Sequence, residues 1–96
     1  MSKIDEVIES ISLPITIPKE AVMQVRNTPR ILDIELFVKQ LPAELRAFMI
    51  IDATALQSKQ DDKYFYYFLL TDGYYLEIAL AGLSIVAIKR LAAPGK

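Results

Sequence analysis

Acidic side chains are the first residues of this 96-residue sequence that could do chemistry, as metal ligands or as general acids and bases. Asp61 and Asp62 offer the oxygen ligands that Mg²⁺ and Ca²⁺ prefer, but their sequence neighbours add no further ligands. Asp5, Glu6 and Glu9 recur at a spacing that is typical of the polar face of a helix. We interpret both groups as solvent-exposed charges and expect no metal site.

The sequence also lacks the residues on which most catalytic and cofactor sites depend. It contains no histidine, the commonest general base, and no cysteine, which excludes thiolate metal sites and thiol nucleophiles. Its three glycines are isolated from one another, so no glycine-rich loop can bind a phosphate group. We therefore expect no enzyme activity and no cofactor.

Aromatic side chains are the second candidate, because they contribute binding surface. Seven of the nine aromatic residues, including all five tyrosines, lie between Tyr64 and Tyr75. Within this window Asp72-Gly73 is typical of a two-residue hairpin turn, which would pair Thr71 with Tyr74. That pairing fixes the register of both strands, because side chains alternate strictly between the two faces of a sheet.

Both faces of the predicted hairpin are apolar. The first face carries Phe65, Tyr67, Leu69, Tyr74, Leu76, Ile78 and Leu80, and the second carries Tyr64, Tyr66, Phe68, Leu70, Tyr75, Glu77 and Ala79. A sheet with one solvated face alternates between apolar and polar residues, so we expect helices to cover the first face. The second face then remains as an interaction surface formed by Tyr64, Tyr66, Phe68, Tyr75 and Val86.

Two other interpretations of the aromatic residues stay open. The tyrosines can simply form cross-strand pairs, each worth roughly 0.2–1 kcal/mol. They can also stack on the bases of a single-stranded nucleic acid, with Lys63, Lys89 and Arg90 contacting phosphates. The formal net charge of −1, from eleven basic and twelve acidic residues, disfavours nucleic acid as the partner, because it provides no positive field.

Patterns in the N-terminal half predict a helix followed by strands. Ser2 is a candidate N-cap, acidic residues occupy the first turn, and Pro14 requires the helix to end by residue 13. Residues 15–17 are then extended, and a strand is favoured over a short helix for residues 19–26. Apolar residues alternate at positions 32, 34, 36 and 38, which predicts a half-buried strand.

Residues 42–58 favour a second helix, because Pro42 is typical of a first helical turn and apolar residues follow at helical spacing. In the competing interpretation residues 46–56 form a strand, since β-branched and aromatic residues cluster there. Residues 57–63 are polar and indicate a loop. Three strands at about 63–71, 74–81 and 83–91 form a meander, and residues 92–96 are expected to be a frayed tail.

These elements predict a single α+β domain over residues 1–91, in which an antiparallel sheet ends in the three-stranded C-terminal meander and both helices lie on one face. The element order is similar to that of roadblock-type adaptor domains, although the final helix of that family has no counterpart here. The resemblance implies dimerisation through helices and sheet edges. Under the competing interpretation of residues 46–56, Leu70-Thr-Asp-Gly73 resembles a turn of a small OB-type β-barrel.

The overall composition favours association with another protein. Hydrophobic residues make up 53% of this short chain and charged residues only 24%, which is more apolar surface than one small core buries comfortably. The longest uncharged stretch, 78–88, is too short to span a membrane, and no export signal is visible. We expect a cytoplasmic, non-enzymatic, self-associating small subunit or adaptor. The alternative is an OB-like protein that binds single-stranded nucleic acid as a replication or repair accessory.

Overall fold

The computed structural model describes residues 3–26, 28–51 and 56–92, and within them it describes only the backbone of residues 25, 28, 29 and 56–59. The fold is mixed α+β, as predicted. In chain order its elements are α1 (Lys3–Glu9), β1 (Ile15–Thr16), a 3₁₀ turn (Lys19–Ala21), β2 (Val22–Val25), β3 (Thr28–Ile31), α2 (Ile34–Val38), α3 (Ala43–Arg46), β4 (Leu56–Gln60), β5 (Lys63–Leu69), β6 (Tyr75–Ala81) and β7 (Ser84–Leu91).

Five strands form one antiparallel sheet in the order β1-β7-β6-β5-β4, and β2 and β3 form a separate hairpin. The C-terminal meander of β5, β6 and β7 is confirmed. Within the described residues the sheet is open, with β1 and β4 as its outermost strands, so the barrel alternative is wrong. A bulge between Ala79 and Leu80 shifts the register with β7.

The helices cover one face of this sheet, which we call the inner face. It carries Tyr64, Tyr66, Phe68, Leu76, Ile78, Leu80, Ile85 and Ile88, all of which are buried. These side chains form one hydrophobic core with Ile4 from α1, Phe37 and Val38 from α2, and Leu45 from α3. No helix in the described part of the chain is long and apolar enough to cross a lipid bilayer.

The register of the β5–β6 hairpin differs from the predicted one by one residue. Leu69 pairs with Tyr75, and the predicted pair of Thr71 with Tyr74 is wrong. The amide of Gly73 donates to the carbonyl of Leu70 at 3.0 Å, and the amide of Leu70 donates to the carbonyl of Tyr74 at 2.8 Å. Gly73 has φ +86°, so the loop is the three-residue type in which a turn is followed by a left-handed glycine.

Because of this single-residue shift, each side chain of β6 lies on the opposite face, relative to β5, from the one that the sequence predicted. Leu76, Ile78 and Leu80 now share the inner face with Tyr64 and Tyr66, because a side chain changes face with each residue along a strand. All the large aliphatic residues of β6 therefore pack with the residues that the sequence pattern had assigned to the exposed surface.

The predicted strand over positions 32–38 is wrong, because Ile34–Val38 forms α2. The side chain of Asp33 caps this helix by accepting a hydrogen bond from the amide of Leu36 at 3.0 Å. Apolar residues at positions 34, 37, 38 and 41 also recur at helical spacing, and this pattern places Phe37 in the core. The alternation that is typical of a strand and the spacing that is typical of a helix overlap in this segment. The Asp33 cap identifies it as a helix.

The predicted helix over residues 42–58 begins as expected but is much shorter, since α3 ends at Arg46. The chain then follows the end of β5: the amide of Ile50 donates to Leu69 at 2.9 Å, and the amide of Thr71 donates to Phe48 at 2.8 Å. Residues 52–55 lie outside the described residues. The predicted loop at 57–63 is also wrong, because Leu56–Gln60 forms β4 and pairs with β5.

The remaining predictions of secondary structure agree with the fold to within a few residues. They include α1, the extended residues 15–16, β2, β6 and β7. The predicted frayed tail lies outside the described residues beyond Ala92.

Candidate interaction surface

We call the sheet face turned away from the helices the outer face, and nine of its described residues make up its central part. They form three rows across β5, β6 and β7: Phe65, Ala79 and Ala87; Tyr67, Glu77 and Lys89; and Leu69, Tyr75 and Leu91. None of these side chains belongs to the hydrophobic core that the helices cover. Most are half-buried, Lys89 is exposed, and only Ala79 is buried.

The structure separates the five residues that the sequence predicts as an interaction surface. Tyr64, Tyr66 and Phe68 are 7%, 2% and 0% exposed and lie in the core, so their assignment to an exposed surface is wrong. The cause is the hairpin register together with the helices that cover the inner face. Tyr75 lies half-buried on the outer face, and Val86 is exposed on β7 beside the bulge.

The cations predicted for the nucleic-acid alternative do not line one groove. Lys63 is exposed at the start of β5, and Lys89 is exposed on the outer face. Arg90 follows Lys89 directly on the same strand and therefore points to the opposite side of the sheet. Its guanidinium group is also occupied by two carboxylates.

Arg90 connects three parts of the chain that are distant in sequence. Its Nε and Nη2 atoms donate to Oδ2 of Asp72 at 3.0 and 2.8 Å, and Nη1 donates to Asp5 of α1 at 3.4 Å. The guanidinium carbon lies 3.9 Å from the centre of the Tyr74 ring, a cation–π contact. The cluster holds the hairpin loop against α1 and β7, and we assign it a structural role.

The electrostatics of this cluster favour the charged state of both partners. Burial opposes ionisation of Asp72, but hydrogen bonds from the Tyr74 amide and from Arg90 outweigh it, so the pKa of Asp72 lies below its ordinary value. The hydrogen bond to Asp72 in turn raises the pKa of Arg90. Sequence reasoning missed this cluster, because Arg90 and Asp5 are 85 positions apart and share no local pattern.

Two opposite charges lie side by side at the centre of the outer face. Glu77 on β6 and Lys89 on β7 are cross-strand neighbours in register. Glu77 accepts a hydrogen bond from the hydroxyl of Tyr67 at 3.0 Å. Within the described residues, no ion pair joins Glu77 to Lys89. Both groups therefore retain capacity for a charged partner.

A cavity of about 480 Å³ lies on the helical side of the molecule, lined by Glu35, Val38, Lys39, Arg46 and Ile51. The Nε atom of Arg46 is buried with no hydrogen-bond partner in the described structure. Residues 52–55, which lie outside the described part, follow directly after Ile51. We assign this cavity no ligand.

The described residues contain no cluster of three or more acidic side chains that could hold a metal ion.

Burial raises the pKa of Tyr66 to about 12, with a further increase from Tyr64 and an opposing effect from Arg30. Such a phenol stays protonated at neutral pH inside the core.

The chain matches no protein-family model, no curated protein and no solved structure.

Proposed function

We propose that this protein is a non-enzymatic interaction module, a self-associating small subunit or adaptor of a larger assembly, and that its contact surface is the outer face. The observation that carries the proposal is an apolar sheet face that takes no part in the core. A sheet with one solvated face normally presents polar side chains to water. Here seven of the nine residues in its three central rows are apolar or aromatic, which is typical of a surface that meets another protein.

The aromatic residues of the outer face suit this role. Phe65, Tyr67 and Tyr75 are all half-buried, so part of each ring is accessible to a partner. Tyrosine combines a large contact area with a polar hydroxyl that tolerates water, and it is enriched in protein interfaces. A cytoplasmic location belongs to the proposal and rests on the cysteine-free sequence.

The proposal is tested by removing apolar area from the outer face and measuring the mass in solution by light scattering. Leu69→Ser with Leu91→Ser should weaken association strongly, because both leucines border Tyr75 in one row. The control is Leu32→Ser, which removes a leucine that is 59% exposed and lies outside the sheet. It should associate like the wild type.

Near-ultraviolet circular dichroism must show that each variant keeps the native core. The proposal fails if the wild-type protein is monomeric at every concentration. It also fails if a folded Leu69→Ser/Leu91→Ser variant associates as strongly as the wild type.

A further inference from the structure

We propose that the partner of the outer face is a second copy of this chain, placed so that Glu77 of each copy meets Lys89 of the other. This inference rests on the proposed function of the outer face and adds the identity and orientation of the partner. Three features of the outer face support this orientation: the register of β6 and β7, the two charges at its centre, and the small residues beside them.

The register makes the outer face complementary to itself. Paired residues of β6 and β7 form successive rows, with Tyr75 opposite Leu91, Glu77 opposite Lys89 and Ala79 opposite Ala87. A two-fold axis can run parallel to the strands, halfway between the two sheets and above the midline between β6 and β7. Rotation about this axis places each β6 residue of the second copy opposite the β7 residue of its own row in the first copy. Glu77 then faces Lys89 of the second copy, and Lys89 faces its Glu77. Two-fold symmetry is the commonest symmetry of soluble oligomers and always produces such reciprocal contacts.

The competing orientation places like charges together. If the two-fold axis ran across the strands along the charged row, Glu77 would face Glu77 and Lys89 would face Lys89. Like charges in contact across an interface are strongly unfavourable. The pair of charges therefore selects one of the two face-to-face orientations and defines which strands stack.

The residues beside the charges allow the two sheets to approach. Ala79 and Ala87 occupy the neighbouring row, and their small side chains leave room at the centre of the contact. Packed sheets lie about 10 Å apart, a gap that a glutamate and a lysine extending from opposite sides can bridge. Tyr75 and Leu91 occupy the row on the other side and bury apolar area against Leu91 and Tyr75 of the second copy.

The size of the face predicts a weak dimer. The three strands that carry the rows, about 4.8 Å apart and about 20 Å long, present a planar area of roughly 300 Å² per copy. The total of roughly 600 Å² lies below the roughly 1,200–2,000 Å² of stable specific interfaces and in the range of weak, transient contacts. We therefore expect a dissociation constant in the micromolar range and rapid exchange between monomer and dimer.

Charge reversal tests the orientation. Glu77→Lys and Lys89→Glu each convert both ion pairs into like-charge contacts, so either variant alone should dimerise more than tenfold more weakly than the wild type. The double variant Glu77→Lys/Lys89→Glu restores both pairs with exchanged signs and should dimerise again. Lys39→Glu, an exposed lysine beside α2, makes the same change in net charge as Lys89→Glu and should have no effect.

A mixture of the two single variants tests whether charge complementarity of the outer face drives association. In a heterodimer of Glu77→Lys with Lys89→Glu, both contacts join a lysine to a glutamate, so two variants that fail to dimerise separately should form a dimer together. Sedimentation equilibrium of each variant and of the equimolar mixture measures this, after circular dichroism has confirmed folding.

The wild type and the single variants distinguish self-association through the outer face from the orientation of the two copies. A wild-type protein that stays monomeric overturns the proposed function and the orientation together. If the wild type dimerises through the outer face but both single variants dimerise equally well, the orientation is wrong and the proposed function stands. Failure of the mixture to associate while the folded single variants remain monomeric also overturns the orientation.

Discussion

The ring of Phe37 lies against the ring of Tyr66, with their centroids 5.9 Å apart and their planes tilted by 56°. Phe37 is fully buried, Tyr66 is 2% exposed, and the rings of Phe68 and Phe37 stack with their centroids 6.2 Å apart. Helix α2 thus places an aromatic ring against two aromatic residues of β5. This contact makes the tyrosine-rich strand the centre of the core.

Truncating these rings should strongly destabilise the protein. Phe68→Ala is expected to cost about 3–5 kcal/mol, because it removes a fully buried ring and leaves a cavity. The free energy of unfolding of a small domain is only about 5–15 kcal/mol, so urea denaturation should show a large loss. The control is Phe65→Ala on the same strand, which removes a half-buried ring of the outer face and should cost clearly less. Equal stability losses in the two variants would contradict the assignment of the faces.

Ionisation of Tyr66 should make the fold unstable at alkaline pH. Its pKa is about 12 in the folded protein and about 10 in an unfolded chain. Because the folded pKa is the higher one, the contribution of the protonated phenol is fully present below pH 10 and is lost as the pH rises towards 12. The free energy of unfolding should therefore fall over this range, and Tyr66→Phe should make the fall less steep. An unchanged alkaline profile in a folded Tyr66→Phe variant would contradict this role.

Asp72 should contribute the opposite dependence at acidic pH. Its pKa is lower in the folded protein, so the stabilisation is present above about pH 4, the unfolded value, and is lost as the pH falls through the folded-state pKa. Asp72→Asn should lower stability at neutral pH and reduce the acid dependence. Asp62→Asn, in the preceding hairpin, is the control and leaves the Arg90 cluster unchanged. Thermal melts between pH 2 and 7 would refute the prediction if both variants behaved alike.

The positive φ of Gly73 should be required for the hairpin. A Cβ added at this position would meet nothing within 4 Å, so any penalty comes from the backbone conformation alone. Gly73→Ala should cost about 1–2 kcal/mol, the price of a left-handed conformation for an L-residue. Gly73→Asn should cost less, because asparagine tolerates this region. If alanine proved as stable as glycine in denaturant titrations, the three-residue loop would be wrong.

The sequence predicted most strands of the sheet but not which of its faces is covered. Long apolar runs separated by Gly73 and Gly82 indicate the C-terminal meander without ambiguity. The faces depend on the register, and Asp72-Gly73 fits both a two-residue and a three-residue loop. The choice between these loops is made by the burial of Leu76, Ile78 and Leu80 in the common core, which no local pattern contains.

The remaining errors have a similar origin. In the sequence alone, Asp33 is compatible with a strand. Its side chain accepts a hydrogen bond from the Leu36 amide, and this hydrogen bond identifies the residue as a helix cap. The polar segment of β4 has no apolar alternation, and its strand conformation comes from pairing with β5. Arg90 joins Asp5 across almost the whole chain. Tertiary contacts determine each of these features.

The dependence of the solution mass on concentration tests the central claim most directly. Light scattering of the wild-type protein over a hundredfold concentration range should show a rise from the monomer mass of 10.8 kDa towards twice that value. The rise should disappear in a folded Leu69→Ser/Leu91→Ser variant. A mass that stays at 10.8 kDa over the whole range would contradict self-association through the outer face.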